Sequence, residues 1–397
     1  MLPYVKINFA NGAIGREAPM DDGCTGLICT AANVEGDGNF GIDTPYLITS
    51  LRQLEALGVS ADPDNPNARL HKCVKEFYDE APQGTKLYVM GTADDTLENI
   101  LGHRQERPLL VFAKGEIRTL VAVTTATGEI KYGLFDDVYA GIPLAQAEAE
   151  WAADELKAPL LVLLEGRGYT GDPTELHDIS ELECNRVAVV IGDTEKHTRG
   201  EAAAVGLLAG RLAAIPVQRS AARVRDGAVK ADAMFILGDR AELGQPEAIH
   251  DKGFICPRTF AGKAGYYWSD DLIAAPVTDD YCLIPRRRTI DKAARVAYAA
   301  MLEYVNDEIA VTAEGKIVPS VAKDIETVLE GAIIKNMTRY GNLSTDPDDP
   351  SDTGVVAYVD PDQDIVRTSH LDVTLRVRPY GYAKYIEVDL GFQTVGG

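Results

Sequence analysis

What this 397-residue chain lacks removes several classes of protein at once. Its longest strongly apolar runs, residues 160–164 and 187–191, are about five residues, against the roughly 20 that a membrane-spanning helix needs. No membrane insertion is expected. The N-terminal Met1-Leu2-Pro3-Tyr4-Val5-Lys6 carries no basic stretch ahead of an apolar segment, so a secretory signal is not expected and synthesis is assigned to the cytoplasm. Basic residues are outnumbered, 39 to 61, and the net charge of −22 repels phosphate backbones and anionic lipid. Nucleic acid is therefore not an expected partner. Cysteine is sparse and scattered, at 24, 29, 73, 184, 256 and 282, and Cys24 and Cys29 have no second pair at zinc spacing. Buried thiols are expected, with no disulfide and no metal site. The phosphate loop G-x-x-x-x-G-K-[ST], the zinc helix H-E-x-x-H and the nucleophile elbow G-x-S-x-G are all missing, so no cofactor is expected. The segment Asp62-Pro63-Asp64-Asn65-Pro66-Asn67 lacks the central Gly and closing Glu of a calcium loop and reads as a turn with a helix cap.

What is present is ordinary globular material. The chain is 46% hydrophobic and 25% charged, and its length is enough for two or three units that each bury a core. Val5, Ile7 and Phe9 alternate with polar neighbours before Asn11-Gly12, which reads as a strand and a turn. Thr44-Pro45 followed by Leu47, Leu51 and Leu54 and ended by Gly58 predicts a helix of about three turns. From there to about residue 250, short apolar runs at 86–90, 109–112, 160–164, 187–191 and 233–237 predict strands. Helical periodicity at 67–80, 94–102, 144–157 and 199–214 separates them. Strands apolar on both faces with helical crossovers predict an α/β fold, a mainly parallel sheet covered by helices. Residues 117–123 and 129–134 flank Thr127-Gly128 and predict a local hairpin within it.

The last third changes character toward α+β. Arg286-Arg287-Arg288 precedes a helix marked by Ile290, Ala294, Ala297, Met301 and Val305. A second helix from Pro319 places Val321, Ile325, Val328 and Ala332 on its core face, leaving Lys323, Glu326 and Glu330 on a charged outer face. The acidic, proline-interrupted stretch 346–352 is a solvated loop. Residues 355–359 follow, then Val373, Leu375 and Val377, then Ile386, Val388, Leu390 and Phe392. The last two runs alternate around Pro379-Tyr380-Gly381 and predict a closing hairpin of amphipathic strands.

Two local constellations bear on chemistry. Gly166-Arg167-Gly168-Tyr169-Thr170-Gly171 matches G-x-G-x-x-G, but Asp172-Pro173-Thr174 follows where a helix N-terminus would face phosphate, and a carboxylate there has the wrong sign. It reads as a glycine-rich surface loop. Asp193 and His197 stand at the C-terminal end of the strand at 187–191, where α/β sheets carry active sites, and His197 oriented by Asp193 would make a general base of a hydrolase-like enzyme. The competing reading is that Asp193-Thr194 caps the next helix. Arg286, Arg287 and Arg288 form the one dense basic cluster and pair with acids of a neighbouring subunit or of a ligand, or with the chain's own Asp270, Asp271, Asp279 or Asp280.

The order of several segments resembles the contractile tail sheath proteins of phages and phage-like injection systems. Gly265-Tyr266-Tyr267-Trp268-Ser269-Asp270-Asp271 and then Tyr281-Cys282-Leu283-Ile284-Pro285-Arg286-Arg287-Arg288-Thr289-Ile290 resemble the sheath stretch that runs into a long helix. Val328-Leu329-Glu330-Gly331-Ala332 is similar to the close of the family's next helix. Leu371-Asp372-Val373-Thr374-Leu375-Arg376-Val377-Arg378-Pro379 with Ala383-Lys384-Tyr385-Ile386-Glu387-Val388 resembles its closing strand pair. Upstream, the segment from Leu47 to Gly58 and the small-residue run Ala203-Ala204-Val205-Gly206-Leu207-Leu208-Ala209-Gly210-Arg211 also fit, whereas 60–180 shows no sheath motif.

The resemblance implies a structural subunit, not an enzyme, with no cofactor. It implies an N-terminal strand arm at 1–20, an α/β region at 21–250 with 60–180 as a candidate insertion, a sheath-type domain at 251–383 and a C-terminal strand arm at 384–397. Val5, Ile7, Phe9, Ile386, Val388, Leu390 and Phe392 would be strands exchanged between subunits, and Lys323, Glu326 and Glu330 would face an inner tube. The implied partners are further copies of the chain, an inner tail tube protein, and baseplate and tail terminator proteins. Assembly would occur in the cytoplasm and the product would be a virion tail or contractile injection particle.

Overall fold

A computed structural model describes residues 21–35 and 38–391. The expected strand with Val5, Ile7 and Phe9, and Phe392 at the other end, lie outside the described residues. The chain divides into two units, residues 1–287 and 288–397.

The first unit is built on a six-stranded sheet. Its strands are β1 (Thr25–Thr30), β2 (Tyr46–Ile48), β3 (Leu87–Thr92), β4 (Thr119–Val123), β5 (Leu161–Glu165) and β6 (Val187–Val190), in spatial order β2-β3-β1-β4-β5-β6. All neighbours are parallel except β2 with β3. β3, β4, β5 and β6 are buried along their whole length, which is why their sequences are continuous apolar runs rather than alternating ones. The faces are covered by α1 (Ala68–Glu80), α2 (Asp136–Asp154) and α3 (Val205–Ala214). α1 buries Leu70, Cys73, Val74 and Phe77 on one stripe, and α3 packs on it with hardly any side chain between the two backbones. A Cβ added to Gly206 or Gly210 would fall on the carbonyl oxygens of Cys73 and Phe77. All six cysteines are buried, as small apolar groups.

Several expectations change. β1 lies at the centre of the sheet in a segment where no strand is expected, because Thr25-Gly26-Leu27-Ile28-Cys29-Thr30 holds only two large aliphatic residues in its six. The three-turn helix near 47 is instead β2 and a short helix, Leu51–Glu55. Residues 109–112, read as a strand, belong to the helix Arg107–Phe112, with Pro108 in its first turn where a missing N–H costs nothing. The expected hairpin around Thr127 gives its first strand to the sheet as β4, and the actual hairpin is Ile130–Lys131 with Leu134–Phe135. Residues 233–237 shorten to Phe235–Ile236, paired with Asp239–Arg240. Residues 60–180, a candidate insertion, supply β3, β4 and β5 and so are integral to the sheet. Residues 251–287 join the first unit through hydrogen bonds of Ile255 and Ala274 to the outer edge of β6.

The Gly166 loop is buried from Gly166 to Tyr169 and reaches the surface only at Thr170 and Gly171. Arg167 is buried, donating to Asp137 at 2.8 Å and to the Ala126 carbonyl at 2.5 Å, with its guanidinium 5.5 Å from the Phe135 ring. No long helix follows it, only one turn at Pro173–Glu175.

α4 (Ile284–Met301) begins at the end of the first unit, and the second unit continues with α5 (Pro319–Asn336), β7 (Val355–Val359) and β8 (Val373–Val377). Two small cores fill it: Ala293, Ile333, Met337, Leu343 and Val355 in one, and Ile317, Ala322, Ile325 and Val359 in the other. The buried stripe of α5 is Ala322, Ile325, Leu329 and Ile333, rotated from the expected one, and Val328 is 45% exposed. Both stripes are apolar, and the one with Leu329 and Ile333 buries more hydrocarbon. β7 and β8 pair antiparallel from Val355 opposite Val377 to Val359 opposite Val373. The C-terminal domain thus has the expected hairpin, but with a different partner: β8 takes the strand before it, and residues 378–391 form no ladder among the described residues.

Candidate assembly surface

The hairpin of the second unit is asymmetric. Val355, Ala357 and Val359 point into the core beneath α5, while Val356 and Tyr358 point outward and are exposed. On β8 the inward residues Val373, Leu375 and Val377 are only half-buried, although they pack against the same cores. The ladder rungs run through the even positions, 356 with 376 and 358 with 374, because the Arg378 N–H donates to the Gly354 carbonyl and sets the alternation. The backbone groups of Val373, Leu375 and Val377 therefore face away from β7, and among the described residues they meet no partner. This is an open sheet edge beside an incompletely covered core.

A segment of matching character lies a few residues on. Ile386, Val388 and Leu390 are 76%, 77% and 96% exposed and alternate with Glu387 and Asp389. An alternating apolar strand exposed on every inward position is stable only when a partner covers it.

The other expected contact residues are distributed differently. Lys323 is exposed, but Glu326 is buried and Glu330 half-buried, so the outer face expected of the three does not exist. Glu326 accepts from the Val359 N–H at 2.9 Å and from Lys323 at 2.8 Å, and Glu330 accepts from the Ala357 N–H at 2.9 Å. The Lys323 ammonium and the Val359 amide hold the Glu326 carboxyl below the usual carboxylate range. Of the arginine cluster, Arg286 is half-buried while Arg287 and Arg288 are buried, Arg287 with its guanidinium 4.4 Å from the Tyr281 ring.

Asp193 and His197 do come together in the first unit, with Oδ2 of Asp193 2.5 Å from Nε2 of His197. Both are held by further charged groups. Lys72, from α1, binds the other Asp193 oxygen at 2.6 Å and Glu76 at 2.5 Å, and Glu201 lies 3.5 Å from Nδ1 of His197. Burial raises the Asp193 carboxyl, yet Lys72, His197 and Arg69 outweigh it and hold the group far below the usual range. Asp193, Glu195 and His197 bring three potential ligand atoms within 4.8 Å of one another, but both Asp193 oxygens are already engaged by cation or imidazole. The adjoining cavity, lined by Gly166, Tyr169, Ile191 and Phe235, has room for about one water. Periodicity could not reveal this network, because Lys72 and Asp193 are separated by 121 residues.

Comparison with known structures defines the class. A chain of the anti-feeding prophage baseplate superposes with a TM-score of 0.64 at 15% identity, covering 99% of both chains. A chain of the PVC sheath complex of an extracellular contractile injection system, in the contracted state, gives 0.62 at 13% identity and covers 98% of this chain and 97% of that one. The sheath tail protein Lin1278 from Listeria innocua gives 0.50 at 11% identity, over 89% and 94%. The chain has the fold of contractile-system sheath proteins along nearly its whole length. It belongs to the DUF2586 family, whose N-terminal domain matches residues 2–272 and whose C-terminal domain matches residues 280–396. No curated protein sequence matches it.

Proposed function

We propose that the chain is a tail sheath subunit that polymerises around an inner tube and contracts to drive that tube through a target envelope. The observation that carries this reading is an open β8 edge and an exposed, alternating C-terminal arm on one chain that folds throughout as a sheath protein. In the polymer the arm of one copy adds to the hairpin of another by main-chain hydrogen bonds. Ile386, Val388 and Leu390 then cover Val373, Leu375 and Val377, each burial contributing roughly 1.5–3 kcal/mol. The N-terminal segment with Val5, Ile7 and Phe9 acts as a second arm. Partners are other copies, an inner tail tube protein, and the baseplate and terminator proteins that start and stop the polymer. Assembly takes place in the cytoplasm, and the product resides in a virion tail or contractile injection particle. The subunit has no catalytic role, and Lys323, exposed where Glu326 and Glu330 are not, contacts the tube.

The test is electron microscopy of the purified full chain beside a variant lacking residues 384–397. The full chain is expected to form tubes, and the truncated one to remain a monomer with an unchanged melting temperature. Tubes of normal length from the truncated chain would refute the arm, and a full chain that stays monomeric with its tube protein present would refute the sheath.

A further inference from the structure

A two-stranded sheet has two outer edges, and strand addition at both would let one subunit join neighbours in two unrelated directions. Here the two edges differ. The outward N–H groups of β7 at Ala357 and Val359 are both occupied by carboxylates from α5, Glu330 and Glu326. The spacing is commensurate: four residues along a helix rise about 6 Å and two along a strand about 6.7 Å, so two glutamates one turn apart reach alternate amides. The pairing runs antiparallel, the earlier glutamate taking the later amide. Side chains that accept both amides leave an incoming strand only the Val355 amide at the start of β7, and two carboxylates along the rest of that edge repel its carbonyls. Nothing comparable lines β8, whose Val373, Leu375 and Val377 amides have no acceptor among the described residues.

We infer that Glu326 and Glu330 are an edge guard: they close β7 to strand addition and direct the 384–391 arm of another copy to the β8 edge alone. This rests on the sheath reading above and adds the residues that fix the direction of joining. The occupant is set by the chain itself. Its arm alternates Ile386, Val388 and Leu390 with polar residues, which matches the alternation of β8, and it is exposed in the protomer.

Amide-resolved hydrogen exchange on the full chain tests this, with a synthetic peptide of residues 384–397 as probe and with the polymer where it forms. In the wild-type protomer Ala357 and Val359 should exchange slowly, and Val373, Leu375 and Val377 fast. Peptide or polymer should slow the β8 amides by at least about tenfold and leave the two β7 amides as they were. Glu326→Ala should release Val359 alone and Glu330→Ala should release Ala357 alone, so each residue reports even if the double variant does not fold. Glu326→Gln and Glu330→Gln, which keep an acceptor oxygen, should behave as wild type. In the alanine variants the peptide should also protect the released β7 amide, and their polymers should branch or clump.

The inference is overturned if peptide or polymer protects β7 amides in the wild type, if neither protects β8, or if the alanine variants take up no strand at β7. A chain that never polymerises but shows the expected peptide pattern would overturn the sheath reading and leave the guard standing.

Discussion

The six-stranded sheet of the first unit and the hairpin of the second solve the problem of their edges in opposite ways. In the first unit the outer edge of β6 is covered from within the chain, by Ile255 bonding to Val189 and by Ala274 bonding to Val187 and Cys184, and the sheet sits in one large continuous core. In the second unit a hairpin sits on two small cores of five and four buried residues, with one edge stopped by glutamates and the other open. The β6 edge of the first sheet is finished within one chain. The second has a shortfall of cover at Val373, Leu375 and Val377 that no described residue makes good, and a shortfall of that kind favours association.

The contrast can be broken by substitutions that depend on assembly in one unit and not in the other. Leu163→Ala, in the fully buried β5, should cost about 4 kcal/mol in protomer and polymer alike. Leu329→Ala, on the buried stripe of α5, should cost about 2 kcal/mol in the protomer and less once an added strand covers the hairpin. Denaturant titration of both states separates the two, and equal losses at both positions in both states would erase the distinction. Gly210→Ala should cost on the order of 3 kcal/mol, since the new methyl meets backbone and not a movable side chain; thermal melting of the protomer reads it.

An effect of pH, within the first unit, concerns Glu106, buried beside Glu148. Burial first, and the neighbouring carboxylate second, push its carboxyl up to about 9. A group whose folded value lies above its unfolded one binds the extra proton only when folded, so stability falls as pH rises from about 4.5 toward 9. Glu106→Gln should flatten that decline, and urea midpoints between those pH values measure it. The least effect is expected at His197→Ala, about 1 kcal/mol for one lost hydrogen bond, because Asp193 keeps Lys72. Polymerisation should survive that change, and its loss would reopen the site.

Much of this architecture is legible in the sequence where burial on both faces leaves unbroken apolar runs, as at β3, β5 and β6, or where one stripe repeats, as in α1. It fails where composition and position disagree. β1 occupies the centre of the sheet with glycine, cysteine and threonine among its six residues, because its neighbours need slender side chains: a Cβ at Gly26 would strike Ile117. The assembly surface was half visible. The alternation of Ile386, Val388 and Leu390 marks a strand but carries no record of its partner, and the choice of β7 for β8 depends on α5 covering Val355, Ala357 and Val359. Glu326 and Glu330 look like any solvated pair until the strand they serve is brought beside them, 27 to 33 residues on.

The contact of α1 with α3 has a mechanical meaning. Where Gly206 and Gly210 meet the backbone of Cys73 and Phe77, no side chain intervenes whose rotamers could give under load. Close-packed interiors compress little, and a backbone-on-backbone seam is their stiffest form. In the sheath proposed above, a subunit of this construction would move as a rigid lever: the first unit would transmit thrust undeformed, and the compliance of the device would fall to the arms proposed to exchange strands.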